Sequence, residues 1–302
     1  MNINTVGEIL RFYREKYSLN QNDVCAGICS VSTLSKIENG SKEADSLILE
    51  TLLERIGKEA LQFEMILNDY DYSLWELRRQ IETEMEHDKK DIARQLLQEY
   101  EEKMPQDDNV HSQFVLYHRI LLEDDKQTED RCAMANQALR YTCPDIEKAV
   151  LYHEMEIELI ILLVKKRYAE FEEGKEWLAA ILKVVQSIYT GRQKEQISAK
   201  LLMELTMLEW NDKNYRGAIK CADKAIEVIS HSRSIDYIGE LHLIKAKALE
   251  KFYHDKDWDK EEDNCKNECL MSYYTFDIMK NENGKQEVQK FCEEKLQWQI
   301  IK

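Results

Sequence analysis

The chain has 302 residues, of which only 9 are Gly and 2 are Pro. Sandwiches, barrels and propellers need many tight turns, and turns draw on those two residues; with 33% charged and 43% hydrophobic residues the composition instead fits amphipathic helices with one wet face, so the expected class is all-α. The net charge of −16 argues against general adhesion to nucleic acid or anionic lipid.

The opening residues, MNINTVGEIL, lack the basic-then-apolar layout of a signal peptide. The longest apolar run, Leu159–Val164, is six residues, far short of the roughly 20 that span a bilayer. Eight cysteines are scattered at 25, 29, 132, 143, 221, 265, 269 and 292. They read as reduced thiols in a cytosol, packing as small hydrophobes. The expectation is a cytoplasmic protein with no membrane partner.

A boundary is expected near residue 66. Before it, Val6, Ile9, Leu10 and Tyr13 recur at helical spacing behind Thr5, a suitable N-cap. Short segments follow, punctuated by Gly27 at a tight turn and Gly40 just past a helix end. Ser30 is placed to cap a helix over Val31–Glu38. Four or five short helices in about 65 residues is the layout of a small helical DNA-binding domain.

Within this region Leu19-Asn20-Gln21, Val24, Ile28, Ser30, Leu34, Ile37 and Glu38-Asn39-Gly40 resemble an XRE-type helix-turn-helix. The resemblance covers residues 3–66, and the shortened turn Ala26-Gly27-Ile28-Cys29-Ser30 is similar to that of peptide-controlled regulators. It implies that Val31–Glu38 is the recognition helix, with Leu34 and Ile37 turned to the core. Ser30, Val31, Ser32, Thr33 and Lys36 then face the major groove of double-stranded operator DNA. Lys36 can donate to a guanine edge or a phosphate, and Val31 and Thr33 can touch a thymine methyl. Asn20, Gln21 and Asn39 would contact phosphates, and Arg14 and Glu38 would form a partly buried ion pair. Residues 1–65 carry seven Lys and Arg against ten Asp and Glu, so affinity would rest on the placement of Lys36, Lys42 and Arg11 and on dimerisation.

From residue 70 the helical pattern comes in pairs: 71–86 with 89–103, 108–123 with 128–141, 145–165 with 168–189, 194–211 with 215–231, and 235–252 with 257–279. A single helix is expected at 284–299. Tyr215, Ala218, Ala222 and Ala225 sit at tetratricopeptide spacings. Related turns stand at Lys166-Arg167-Tyr168 and Asp257-Trp258. The expected architecture for 67–302 is a right-handed tetratricopeptide-like α-solenoid, because an isolated helix pair cannot bury its apolar face alone. The repeat pattern puts Lys200, Met203, Met207, Trp210 and Asn211 on an inner face, with His242 and Lys245 on the next first helix. A Met–Trp surface suits an extended peptide; equally, Met203 and Met207 read as ordinary core at i, i+4.

A helix-turn-helix followed by about five degenerate helix pairs resembles the RRNPP family over nearly the whole chain. That resemblance implies a transcription regulator, homodimeric and cytosolic, whose repeat domain binds a short signalling peptide as in quorum sensing. Where the family carries peptide-clamping Asn residues on inner helices, this chain has Ile157 and Glu204. The competing reading is a repeat scaffold that binds a protein partner and uses its helix-turn-helix for docking. Cys25-x-x-x-Cys29 and Cys265-x-x-x-Cys269 lack a second ligand pair, so no metal is expected. No H-E-x-x-H, P-loop or G-x-S-x-G occurs, so no enzyme activity or cofactor is expected.

Overall fold

A computed structural model describes residues 5–58, 69–123, 128–146, 148–165, 173–232, 235, 237–254 and 258–300. Among these residues there are fifteen α-helices and no strand, so the fold is all-α as the composition requires. No helix among them is long and apolar enough to cross a membrane. The chain divides into two compact units. One comprises Met1–Gly174 with Ser187–Thr190, the other Lys175–Gln186 with Gly191–Lys302.

The first unit begins with α1 (Val6–Lys16), α2 (Gln21–Cys25), α3 (Val31–Glu38) and α4 (Ser46–Arg55). Each starts on a side chain that accepts from a backbone amide two or three residues into the helix: Thr5, Asn20, Ser30 and Asp45. Leu10, Val24, Leu34 and Leu52 converge with no exposed surface. Helix pairs follow: α5 (Asp69–Glu86) with α6 (Lys90–Lys103), α7 (Asn109–Leu122) with α8 (Thr128–Thr142), then α9 (Glu154–Lys165).

The expected start of α9 at 145 is corrected to Glu154. Pro144 ends the preceding helical run, and the Glu156 carboxylate accepts from the His153 amide at 2.9 Å, which fixes the first turn there. Between them Ile146 and Leu151 run buried. Lys166, Arg167, Tyr168 and Asp257, expected at inter-helix turns, lie outside the described residues.

The second unit holds most of α10 (Gly174–Ile188), then α11 (Gly191–Asn211), α12 (Tyr215–Ser232), α13 (Ile238–Tyr253), α14 (Trp258–Ile278) and α15 (Glu282–Lys295). Ala218, Ala222 and Ala225 are fully buried, the small-residue seam that lets α12 approach α11 closely. Cys265, Cys269 and Cys292 are buried with Tyr273, Phe276 and Val288. They pack as core thiols, and among the described residues no group of side chains is arranged to hold a metal ion. The last helix stops at Lys295 rather than 299: Gln297 takes a positive φ of 47°, and Trp298 and Ile300 fold back onto this core.

Two buried histidines make the first unit acid-sensitive. Burial lowers His118 to about 4, against a hydrogen bond with the Phe114 carbonyl that works the other way. Burial likewise lowers His153 to about 4 despite the neighbouring Glu156 carboxylate. Both stay neutral in the fold while the unfolded chain takes up protons below about 6.5. Their contribution is therefore complete above that pH and lost as pH falls towards 4, by about 3 kcal/mol each at most. The raised carboxyls of Glu50 and Glu54 work the other way, so the test is a difference: between pH 7 and pH 5 the urea midpoint of the unaltered protein is expected to fall relative to that of His118→Leu. A difference that stays constant over that range would contradict the neutral burial of His118.

Candidate nucleic-acid interface and repeat cleft

The helix expected over Val31–Glu38 is α3, with the same bounds. Leu34 and Ile37 of α3 are buried, while Val31, Ser32 and Lys36 are exposed and Thr33 is half-exposed. Ser30 accepts from the Thr33 amide at 3.0 Å and donates to the Thr33 hydroxyl, also at 3.0 Å, so both hydroxyls stand at the start of α3. At its other end the Lys42 amide donates to the Lys36 carbonyl at 3.2 Å. Two exposed lysines therefore flank the C-terminal turn of α3 and supply a local positive spot in a domain of negative balance. Arg11 is less available, since its Nε donates to Glu15 at 2.8 Å.

The phosphate-facing candidates have different occupations. The Asn20 carbonyl oxygen caps α2 by accepting from the Asp23 amide at 2.9 Å, and the side chain is exposed. Gln21 donates to Glu38 at 2.9 Å, so its amide is engaged within the domain. Asn39 is exposed, and its Oδ1 accepts from the Ser41 amide at 3.0 Å. Arg14 and Glu38 form the expected ion pair as a two-point contact, at 2.6 and 2.9 Å. The Arg14 guanidinium sits above its ordinary value through its bond to Glu38.

A residue that no sequence motif marks binds this domain to the repeats. Arg55, at the end of α4, is 2% exposed. Its Nη1 donates to the carbonyls of Val24 at 3.1 Å and Ala26 at 2.7 Å. Its Nη2 donates to the Thr142 carbonyl at 3.1 Å and to Glu156 at 2.5 Å. Burial would push the Glu156 carboxyl up, but Arg55, the Thr142 hydroxyl and the His153 backbone amide outweigh it and hold the group below its ordinary value. Gln113 completes the chain by donating to the Thr142 hydroxyl at 2.6 Å. Gly27 marks the same seam: its φ is +77°, and a Cβ there would lie 1.9 Å from the Thr142 carbonyl oxygen. Only glycine fits. The hint in the sequence was a lone cation closing the apolar run SLILETLLER; its partners lie 87 and 101 residues away, beyond any local pattern.

In the second unit, Lys200, Met203, Met207 and Asn211 share one face of α11, with Trp210 at its edge. Trp210 is half-buried and lies 5.4 Å from the Tyr215 ring. Met203 packs on the core around Ala222 and Leu241. His242 and Lys245 are drawn into an internal ion cluster. His242 Nδ1 lies 2.5 Å from Glu268, and Lys245 Nζ lies 2.6 Å from Glu268 and 2.7 Å from Asp223. Burial opposes the charge of Lys245, but its bonds to Asp223 and Glu268 prevail and raise it. The opposite face of α11 floors a cleft of about 1030 Å³ between α10 and α12. None of the seven residues expected to bind a ligand lines it.

Taken together, four short capped helices and a succession of helix pairs define the class: a helix-turn-helix protein with a helical-repeat domain. Residues 10–63 match the helix-turn-helix family. Among solved structures, PlcR of Bacillus thuringiensis in complex with the peptide PapR7 and DNA is similar over 95% of this chain and 99% of its own, at 15% identity and a TM-score of 0.56. Its apo form gives 0.54 at 14% identity, over 94% of this chain and 97% of that one. Apo ComR of Streptococcus vestibularis gives 0.52 at 15% identity, over 95% and 96%. These likenesses establish a shared fold. No curated protein matches the chain by sequence.

Removing the lysine from the groove-facing side of α3 tests the interface. Lys36→Ala is expected to weaken binding to a selected double-stranded site by about 1–3 kcal/mol if it pairs with a base, measured by fluorescence anisotropy. If Ser32→Ala and Lys36→Ala together leave affinity unchanged, α3 is not the reading helix.

Proposed function

We propose that this chain is a cytosolic transcription regulator of the RRNPP type. On this reading it binds operator DNA as a homodimer through α3 and responds to a short signalling peptide held by its repeats. The observation that carries the reading is the shared fold, over 95% of the chain, with a regulator whose structure holds both a peptide and DNA. The helix-turn-helix match and the exposed face of α3 support the DNA half. The peptide half rests on the repeats, where two surfaces of the second unit are candidates: the Met–Trp face of α11 and the cleft on its other side.

Dimerisation follows from the size of the reading element. One eight-residue helix touches too few base pairs for useful specificity, so two copies reading two half-sites are needed. A ligand controls such a protein only by favouring one arrangement of the two DNA-binding domains over another.

The test is selection of double-stranded sites from a random pool by the full-length protein, with and without peptides encoded beside its gene. The expected product is a two-fold symmetric sequence bound two copies per site, its occupancy changed by one of the peptides. Enrichment of no sequence would instead favour the helix-turn-helix as a docking module, a reading that the negative balance of residues 1–65 supports.

A further inference from the structure

A pocket of about 220 Å³ lies within the first unit, where α2, the last residue of α4 and the connection from α8 to α9 meet. It is smaller than the roughly 300–1,000 Å³ of drug-sized ligand sites. The volume equals about seven waters at about 30 Å³ each, which is the scale of a small metabolite. Its walls are aliphatic, supplied by Ala26, Ala149, Val150 and Leu151. Arg55 lines it at 2% exposure. Both terminal nitrogens of that guanidinium are engaged, but its Nε has no hydrogen-bond partner among the described residues. A buried N–H without a partner is uncommon, because it forfeits its bond to water.

The charges around the pocket leave a definite remainder. Arg55 is paired with Glu156 and Lys148 with Asp145. Burial pushes the Cys143 thiol up to about 12, so it adds no charge to the wall. Asp23 also lines the pocket. It accepts from the Asn20 amide at 3.1 Å and forms no ion pair among the described residues. One donor, at Arg55, and one anion, at Asp23, are thus unanswered. A simple carboxylate brings a like charge to Asp23, and a simple amine leaves the guanidinium N–H unmet. A free amino acid carries both an acceptor and a cation on one carbon, and an aliphatic side chain suits the walls.

We propose that this pocket binds a free aliphatic α-amino acid. The ligand's carboxylate accepts from Arg55 Nε, its ammonium pairs with Asp23, and its side chain lies against Ala149, Val150 and Leu151. Such a ligand touches α2, α4 and the α8–α9 connection at once, so its binding stabilises the seam between the helix-turn-helix and the first repeats by mass action. The site is independent of which surface of the second unit takes a peptide.

The experiment titrates the full-length protein with L-valine, L-leucine and the other common amino acids at millimolar concentration, by calorimetry and by thermal midpoint. Leucine or valine is expected to bind and to raise the midpoint. For leucine, 3-methylbutylamine and 4-methylpentanoate each lack one of the two polar groups and are expected to bind about tenfold more weakly or worse. Asp23→Asn keeps an oxygen for the Asn20 amide but loses the charge, and Ala149→Phe fills the pocket from a half-buried position. Both are expected to lower the affinity by about tenfold or more, while Lys224→Ala, in the cleft of the second unit, leaves it unchanged. The Asp23→Asn result carries the test if Ala149→Phe loses helical content. Absence of binding by every amino acid would overturn the proposal, the pocket then holding water alone. So would binding that survives both pocket variants, or analogues that bind as well as leucine.

Discussion

Arg55 brings a guanidinium into the interior of the first unit, where both terminal nitrogens find partners and Nε stays unpaired. A buried guanidinium needs both a counter-charge and acceptors for its N–H groups. The protein supplies Glu156 from α9 and three carbonyls, Val24 within α2, Ala26 just after it and Thr142 at the end of α8. No partner is local in sequence. The guanidinium therefore joins the helix-turn-helix to α8 and α9, and Gly27 lets the two backbones come close enough for it.

The same logic recurs at smaller scale inside the helix-turn-helix. Glu38, 3% exposed, collects Arg14 and Gln21 and so locks α3 against α1 and α2 from its inner side. With Leu34 and Ile37 in the core, only one face of α3 is left exposed. That face is uncharged apart from Lys36. In a chain of net charge −16, non-specific attraction to phosphates is weak, so the proposed operator binding would depend on fit and on pairing of two copies.

What could be read without coordinates was what depends on near neighbours. The caps at Thr5 and Ser30, the turn at Gly27, the bounds of α3 and the alanine seam of α12 all follow from spacings of four residues or fewer, whereas the cap at Asn20 emerges only from the structure. The Arg14–Glu38 pair came from a family resemblance, not from physics, because its members stand 24 residues apart. Arg55 and Glu156, 101 apart, left no mark beyond one cation at the end of an apolar helix. The ligand face fared differently again. Helical periodicity correctly groups Lys200, Met203 and Met207 on one side of α11, but it does not reveal that His242 and Lys245 have internal partners. Nor does it show that the other side of α11 opens onto a cleft, which depends on how far α10 stands from α12.

Amide hydrogen exchange on full-length Arg55→Met tests most directly whether the reading domain and the first repeats form one cooperative body. Removing the guanidinium leaves Glu156 buried and unpaired, a loss of about 3–5 kcal/mol. The account predicts that protection falls together, by about a hundredfold or more, in α2, α4, α8 and α9. Loss of protection confined to α2 and α4, with α8 and α9 exchanging as in the unaltered protein, would contradict it.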